Sequence, residues 1–479
     1  MQQAQQILRQ YFGYDTFRPR QAEIIAHVTS GNHAMVVMPT GGGKSLCFQI
    51  PALMATPGNG ELTLVLSPLV ALMQDQVDSL RARGIDATLI NSSLDRQTRL
   101  QRQRELADGK YRLLYVTPER FRKQEFLDVI GARNVRLLAI DEAHCVSQWG
   151  HDFRPDYSRI AEIRERLGNP TTIALTATAT AECREDIYRQ MGIDAADIQL
   201  FHEGIDRPNL SMEVESIVDE DEKFDALISA LRDPAMWGNH HDRPGGTIVY
   251  FSLIKTLQRF SDRLRELAVD HVNYHGDLSR RERRAMQDSF MSSEVDTVLA
   301  TPAFGMGVDK EDIRLIVHAE TPGSIESYYQ EVGRAGRDGH PSRCLWLYDQ
   351  ADLMTQMQFI AWANPDAGFY DRLLHALTED TERCRAYGLD WLNLKLQRVS
   401  PHDHRLETAM AMLDRHQVVA GPRPPQCFDL VGEPSPAIFG HDALESKTRR
   451  DQQRLYAMVE FAKTPGDQRQ AFLNEYFMG

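Results

Sequence analysis

Short apolar runs alternate with helical patterns through most of the first 350 residues, and this alternation limits the possible folds. Five runs in the first half have the composition of buried strands: Ala34–Met38, Leu62–Ser67, Leu113–Val116, Leu137–Ile140 and Thr172–Leu175. The pattern returns at Thr247–Phe251, His271–Tyr274, Thr297–Ala300, Leu315–His318 and Cys344–Tyr348. Apolar strands separated by helices are typical of mostly parallel, doubly wound sheets. The sequence therefore predicts two tandem α/β domains, with a ligand cleft beyond the carboxyl ends of their strands.

The pattern changes near residues 207 and 351, which predicts domains over residues 1–207, 208–350 and 351–479. The first junction lies near Asp206-Arg207-Pro208-Asn209, because the residue before a proline is disfavoured in a helix. After residue 351 helical spacing dominates, at Asp371–Thr381, Leu389–Leu396 and Arg405–Gln417.

Two short strands, Val418–Ala420 and Cys427–Val431, are expected to follow these helices. Helices followed by a hairpin over about 369–432 fit either a winged helix or a generic helical cap, and the sequence leaves both open. Residues 443–479 predict a pair of helices, broken at Thr464-Pro465-Gly466.

Composition excludes some classes of protein. No apolar run approaches the roughly 18 residues that span a bilayer, and the first ten residues, MQQAQQILRQ, do not resemble a secretory signal. The six cysteines are scattered without CxxC spacing, which favours reduced thiols in a cytoplasmic protein, nucleoid-associated if the source is bacterial. A net charge of −14 alone disfavours a nucleic-acid binder, although local basic segments can still line a groove.

A glycine-rich loop follows the first predicted strand. Pro39-Thr40-Gly41-Gly42-Gly43-Lys44-Ser45 leads directly into an apolar helical pattern. Glycines let several backbone N–H groups face a phosphate, and the start of a helix adds a positive dipole. Lys44 would reach the β- and γ-phosphates, and Ser45 would bind Mg²⁺. Met38 stands where such loops usually begin with glycine, but the strand–loop–helix context compensates.

Two further segments carry charges suited to nucleotide hydrolysis. Asp141 and Glu142 end a predicted strand, where an aspartate can hold Mg²⁺ through water and a glutamate can deprotonate the attacking water. In the second block, residues 330–339 read QEVGRAGRDG and include Gln330, Arg334 and Arg337. The two arginines would lie three apart on a helix face, within reach of one target. An arginine from a second domain stabilises γ-phosphate charge only when the cleft closes.

Aromatic and basic side chains follow the acidic pair directly. Residues 141–157 read DEAHCVSQWGHDFRPDY, in which Trp149, His151, Phe153 and Arg154 interleave rings with charge. Unstacked bases stack on such rings at about 1–3 kcal/mol per base, with little dependence on sequence. This adjacency predicts that nucleic-acid binding and hydrolysis control each other. Core packing is the alternative, which the surrounding glycine, proline and charged residues disfavour.

Eight segments stand in order over residues 12–339. They are FGYDTFRPRQ (12–21), MPTGGGKSLCFQIPAL (38–53), SPLVALMQDQV (67–77), DEAHCVSQWGHDFRP (141–155), ALTATAT (174–180), YHGDLSRRER (274–283), ATPAFGMGVDK (300–310) and IESYYQEVGRAGRDG (325–339). Together they resemble the motifs of superfamily-two helicases, specifically the RecQ DNA helicases. The RecQ resemblance rests on segment 12–21 and on the aromatic-rich loop at 145–157.

The resemblance implies two RecA-like domains with parallel sheets, a helix-rich C-terminal region, and an enzyme that uses ATP and Mg²⁺. Tyr14, Arg18 and Gln21 would form the adenine site. The residues implied around the phosphates and metal are Thr40, Gly41, Gly42, Gly43, Lys44, Ser45 and Asp141. The implied catalytic set is Lys44, Asp141, Glu142, Gln330, Arg334 and Arg337.

The resemblance also implies a track for single-stranded DNA. Trp149, His151, Phe153 and Arg154 would contact the strand and report it to Glu142. Thr176 and Thr178 would link the track to the hydrolysis site. The cluster Arg280, Arg281, Arg283 and Arg284 would serve DNA phosphates or simply form a solvated helix face.

The C-terminal region departs from the family pattern. Residues 443–479 resemble the helices of the family's cysteine-ligated zinc module, but Asp467 stands where the first cysteine would be and the sequence reaches Gly479 before the others. No four-ligand set is nearby, so we predict no structural zinc and interpret His402 and His404 as surface residues. Residues 365–440 look inserted relative to the family. Pro302 replaces a small apolar residue that is usual in its motif.

The leading hypothesis is an ATP-dependent DNA helicase that moves 3′ to 5′ on single strands. It would open tailed or forked duplexes in DNA repair or recombination. Two alternatives stay open: the track is RNA, or the chain is a non-unwinding module that binds or remodels DNA according to its ATP state.

Overall fold

The structure is a computed structural model that describes residues 1–54, 60–68, 70–91, 94–147, 157, 159–233, 245–305, 308–399, 403–423 and 427–479. The strands are β1 His33–Val37, β2 Glu61–Leu66, β3 Ala87–Ile90, β4 Leu113–Val116, β5 Asn134–Ile140, β6 Thr171–Thr176, β7 Ile198–His202, β8 Leu210–Ser216, β9 Gly246–Tyr250, β10 Val272–Tyr274, β11 Thr297–Ala300, β12 Ile313–His318, β13 Ser342–Tyr348, β14 Val419–Arg423 and β15 Cys427–Leu430.

The helices of the first domain are α1 Gln2–Ile7, α2 Gln21–Thr29, α3 Leu46–Met54, α4 Val70–Ala82, α5 Arg96–Ala107, α6 Gln124–Gly131, α7 Ile160–Arg166 and α8 Ala181–Met191. Those of the second are α9 Glu220–Leu231, α10 Ile254–Glu266, α11 Arg280–Met291 and α12 Ile325–Val332. The C-terminal helices are α13 Asp352–Ala363, α14 Ala367–Glu379, α15 Thr381–Lys395, α16 Arg405–Arg415, α17 Pro436–Phe439, α18 His441–Lys463 and α19 Arg469–Met478.

Seven of the described strands form the first sheet, in the order β3-β4-β2-β5-β6-β1-β7, with every neighbouring pair parallel. Successive residues point to opposite faces, and both faces are buried. Val37 belongs to the core on one face, and Val36 to the core on the other. Because β2, β5, β6 and β1 are neighbours, the residues that follow these four strands meet at one edge. That edge holds the glycine-rich loop and the acidic pair.

Six described strands form the second sheet, in the order β10-β11-β9-β12-β13-β8, also all parallel. One face includes Ile248 and Val298, and the other includes Val249 and Leu299. Burial on both faces explains why these strands read as continuous apolar runs. The predicted fold class, two parallel-sheet RecA-like domains followed by a helix-rich C-terminal region, is therefore confirmed.

The sequence analysis did not predict β3, β7 and β8, and each of these strands lies at a sheet edge. β7 and β8 are partly exposed, so polar residues interrupt their apolar pattern, as in LSMEVES (210–216). β3 is fully buried but only four residues long. β7 and β8 flank the expected domain junction, where the first sheet ends at His202 and the second begins at Leu210.

The expected helices and hairpin of the C-terminal region are present. α14, α15 and α16 enclose a core of their own, and β14 pairs antiparallel with β15. α15 breaks at Gly388, whose φ of 59° and ψ of −139° are not helical. The winged helix stays a hypothesis. Near the chain end, α18 and α19 are separated at Thr464–Gly466 as expected, and their Phe461 and Phe477 pack into one core of the second sheet.

Five cysteines, Cys47, Cys145, Cys183, Cys344 and Cys384, are buried free thiols. Among the helices that the structure describes, none combines the length and apolar character needed to cross a membrane.

Candidate active site

The glycine-rich loop joins β1 to α3 and leaves backbone groups available for a ligand. Gly41 and Gly43 both have φ near +80°, which few residues with a Cβ adopt. α3 begins at Leu46, directly after Ser45, so the positive end of the helix faces the loop. The Lys44 ammonium is folded back and donates to the carbonyl oxygens of Met38 (3.0 Å) and Pro39 (3.2 Å). Burial lowers the pKa of Lys44, against the opposing charges of Glu142 and Asp141.

Arg18 and Gln21, two of the expected adenine-site residues, pack directly on this loop. The buried Gln21 amide donates to Gly43 O (3.1 Å) and accepts from the Arg18 backbone N–H (2.9 Å), while the Arg18 guanidinium donates to Gly41 O. Tyr14 is 54% exposed. Contacts that join the segment 12–21 to the phosphate loop would let base binding and phosphate binding affect each other.

Asp141 lies at the same edge, directly after β5. Its backbone N–H donates to Leu66 O (2.8 Å), and its carboxylate lies 3.5 Å from the Ser67 hydroxyl. Burial raises the pKa of Asp141 to about 7, reinforced by the neighbouring Glu142 and opposed by Lys44. A buried carboxylate beside a second carboxylate favours a bound cation, since the ion neutralises charge that the protein alone leaves poorly compensated.

Glu142 has the backbone strain typical of a functional position, with φ 50° and ψ 50°. Its Oε2 lies 3.4 Å from His144 Nδ1, but that nitrogen already hydrogen-bonds Thr176 Oγ1 at 3.0 Å. Within the described chain, Oε2 of Glu142 is buried and makes no hydrogen bond. Thr176 in turn bonds both the N–H and the carbonyl of Thr178. Glu142 therefore keeps a free acceptor, and a polar chain runs from its neighbour His144 to the two threonines.

Arg337 from the second domain lies against the glycine-rich loop. Its Cγ would be 3.3 Å from a Cβ added to Gly41, and a Cβ added to Gly333 would be 3.6 Å from Thr40 Cβ. The Arg337 side chain is only 9% exposed and pairs with Asp309, whose side chain is 83% exposed. The cleft between the domains is thus closed around the loop, with an arginine on its far side.

The geometry expected for the two arginines was wrong in one respect. α12 ends at Val332, so Arg334 and Arg337 lie in the turn beyond it rather than on a helix face. The turn requires Gly336, with φ 55°. Arg334 is buried and donates to Gly305 O within its own domain, and the half-buried Gln330 stays on α12. The two arginines therefore have different surroundings.

Residues of the domain junction hold this arginine turn, a role the sequence analysis missed. Arg207 donates to Gly333 O (3.1 Å) and Ala335 O (2.7 Å), and Asn209 donates to Gly336 O (2.9 Å). The signal was available, because arginine and asparagine flanking Pro208 offer several donors to turn carbonyls. The linker is thus part of the site's support.

The expected DNA contacts Trp149, His151, Phe153 and Arg154 lie outside the described residues. Just before them, Ser147 donates to Asp186 on α8 (2.7 Å). Arg280, Arg281 and Arg284 are exposed on α11. His404 is exposed, and His402 lies outside the described residues.

The residues at the loop fit a nucleoside triphosphate with a magnesium ion. They offer glycines with positive φ, a lysine that donates to loop carbonyls, an unpaired glutamate oxygen and a buried aspartate with a raised pKa. Among the described residues, no group of three or more histidine, cysteine, aspartate or glutamate side chains is placed to hold a metal ion. The absence of structural zinc stays a prediction.

Comparison with known proteins decides the family. Residues 18–186 match the DEAD/DEAH box helicase family, and residues 222–339 match the helicase conserved C-terminal domain. The chain is 43% identical over 358 residues to the ATP-dependent DNA helicase RecQ of Bacillus subtilis, covering 74% of this chain and 58% of that protein. It is 37% identical over 386 residues to the probable ATP-dependent DNA helicase RecS of the same organism, covering 80% and 74%. The chain belongs to the RecQ family of superfamily-two helicases.

The comparisons also show how much of a relative this RecQ-family chain covers and which solved structure has a similar fold. The alignment spans less than two thirds of B. subtilis RecQ. The fold is also similar to that of Mycobacterium smegmatis helicase Lhr bound to ssDNA and AMP-PNP, with a TM-score of 0.57 and 18% identity, over 85% of this chain and 57% of Lhr. At that identity the likeness concerns the fold alone.

Proposed function

We propose that this RecQ-family chain hydrolyses ATP with Mg²⁺ to move 3′ to 5′ along single-stranded DNA and to open tailed or forked duplexes. One observation carries the proposal: Arg337 of the second domain lies against Gly41 of the glycine-rich loop in the first domain. A site built from both domains links nucleotide state to domain position.

The proposed roles follow from the surroundings of each side chain. Arg18 and Gln21, with the exposed Tyr14, would bind the adenine, and Thr40 to Gly43 would surround the phosphates. Lys44 would exchange its loop carbonyls for phosphate oxygens, because charged acceptors bind an ammonium more strongly. Ser45 and Asp141 would hold Mg²⁺, which neutralises phosphate charge when bound.

The remaining roles concern the chemical step and its control. Glu142 would accept a proton from the attacking water through its unpaired Oε2. Arg337 would exchange Asp309 for the γ-phosphate, and Gln330 and Arg334 would orient the turn and the water. The chain from His144 through Thr176 to Thr178 would report DNA to Glu142.

DNA as the track is supported by the names of the RecQ and RecS relatives, which are called DNA helicases. Trp149, His151, Phe153 and Arg154 are the proposed contacts to the strand. We place the activity in DNA repair or recombination, in the cytoplasm and at the nucleoid if the source is bacterial.

The test compares the wild-type chain with Glu142→Gln and Lys44→Ala. Glu142→Gln is expected to bind ATP normally and to lose at least about 10²-fold in turnover, since general-base catalysis contributes 10²–10⁴-fold. Full ATPase activity in this variant would contradict the proposed site. Stimulation by RNA but not by DNA would make the track RNA. ATPase activity without separation of a 3′-tailed duplex would favour the non-unwinding module.

A further inference from the structure

Gln76 on α4 lies at the proposed metal site, although none of the roles above involves it. Its side-chain Nε2 donates to Ser45 Oγ at 3.3 Å, across 31 residues of sequence. Its other end, Oε1, is buried and accepts no hydrogen bond from any group that the structure describes. The side chain thus contacts a proposed magnesium ligand and carries an acceptor that lacks a donor.

Buried polar atoms are nearly always hydrogen-bonded, so an unpaired amide oxygen indicates a partner that arrives with a ligand. Magnesium usually keeps several of its waters when a protein binds it, and those waters are strong donors. A Ser45 hydroxyl that accepts from Gln76 through one lone pair keeps the other for the metal. The amide nitrogen of Gln76 therefore suits a protein ligand of the ion, the Ser45 hydroxyl, and its amide oxygen suits a water bound to the ion.

A second residue of the same segment contacts the other proposed metal ligand. Ser67, at the start of the segment 67–77 that contains Gln76, lies 3.5 Å from the Asp141 carboxylate. Ser45 and Asp141, the two proposed metal ligands, thus each contact a residue of this segment. Outer partners of this kind fix the orientation of metal ligands, and their loss typically lowers metal affinity about 10- to 100-fold.

We propose that Gln76 is a positioning residue for magnesium, which orients the Ser45 hydroxyl through Nε2 and accepts a hydrogen bond from a metal-bound water through Oε1. This inference rests on the proposed function, because it assumes that Ser45 binds the metal.

The experiment titrates Mg²⁺ into the full chain with a fluorescent non-hydrolysable ATP analogue, and repeats the binding in EDTA. For Gln76→Leu we expect the half-saturating Mg²⁺ concentration to rise about tenfold while metal-free nucleotide affinity stays unchanged. Gln76→Asn, which is more conservative, should show the same direction. Gln74→Leu is the matched control, because Gln74 lies on the same helix but donates to the exposed Asp78 (2.8 Å) instead of Ser45, and it should leave both affinities unchanged.

The outcomes separate this inference from the proposed function. An unchanged Mg²⁺ requirement in both Gln76 variants would overturn the inference, as would an equal loss of metal-free and metal-dependent binding, which indicates a merely structural role. Ser45→Ala is run in parallel. If Ser45→Ala also leaves the Mg²⁺ requirement unchanged, the proposed metal site itself fails.

Discussion

Replacing Gly43 with alanine tests whether the loop between β1 and α3 has the conformation that binds phosphate. Gly43 has φ +80°, and an added Cβ would overlap the Gln21 amide. The left-handed conformation costs an L-residue about 1–2 kcal/mol, and overpacking costs about 1–3 kcal/mol. Because the free variant relaxes and must regain this conformation to bind, nucleotide affinity should fall by roughly 2–5 kcal/mol, about 30- to 4,000-fold.

The assay is equilibrium titration of the full chain with a fluorescent ATP analogue, together with chemical unfolding. Gly31→Ala is the first control, since Gly31 has φ +90° but open space around its Cα, so it should lose about 1 kcal/mol of stability and no nucleotide affinity. Gly41→Ala has the same φ as Gly43, but its nearest neighbour is Arg337 of the other domain, at 3.3 Å. It should lower turnover more than binding.

Comparing Gly43→Ala with Gly31→Ala separates the effect of the clash with Gln21 from the effect of backbone strain. If Gly43→Ala binds nucleotide as tightly as the wild-type chain, the loop does not use the conformation described here. If Gly31→Ala loses as much affinity as Gly43→Ala, the effect is general destabilisation rather than a change in the site.

Three further predictions concern ion pairs. Arg122 and Asp414 join the first domain to α16 at 2.7 Å, so alanine at either should lower the unfolding free energy by about 1 kcal/mol, and additive losses in a double-mutant cycle would contradict the pair. Burial raises the pKa of Asp352 to about 6, opposed by the charge of Lys223. The folded state therefore holds this proton more tightly than the unfolded state, and Asp352 makes stability fall as the pH rises from about 4 to 6. Asp352→Asn should remove this pH dependence of the melting temperature, and an unchanged pH dependence would contradict the raised pKa. Asp309→Asn should free Arg337 and raise the affinity for an ATP analogue up to about fivefold relative to the affinity for ADP. Equal changes for both nucleotides would contradict the idea that Asp309 and the γ-phosphate compete for Arg337.

The position of the last two helices connects the C-terminal region to the active site. Asp206, next to Arg207, which holds the turn that carries Arg334 and Arg337, accepts from Gln470 (3.0 Å) and Asn474 (2.9 Å) on α19. In the first domain, Arg184 of α8 donates to Phe477 O (3.1 Å), and the Phe477 side chain packs in a core of the second domain. α19 therefore touches both domains and their linker.

Much of the fold could be predicted from local sequence. Strands buried on both faces, such as β1 and β5, read as apolar runs, and the loop at Lys44 was recognisable because its glycines and position before a helix are local features. The edge strands β7 and β8 were missed, since partial exposure removes the periodic signal.

The sequence by itself determined which chemical groups the candidate site contains: a glycine-rich loop with a lysine, an acidic pair, and arginines in a second domain. Only the tertiary structure decided which of them meet. Arg337 contacts Gly41, Arg334 donates to Gly305, and Gln76 contacts Ser45. The residues of each pair are 29 to 296 positions apart in the chain, so no local pattern predicts that they meet. Long-range contacts depend on strand order and domain closure, which no local pattern encodes.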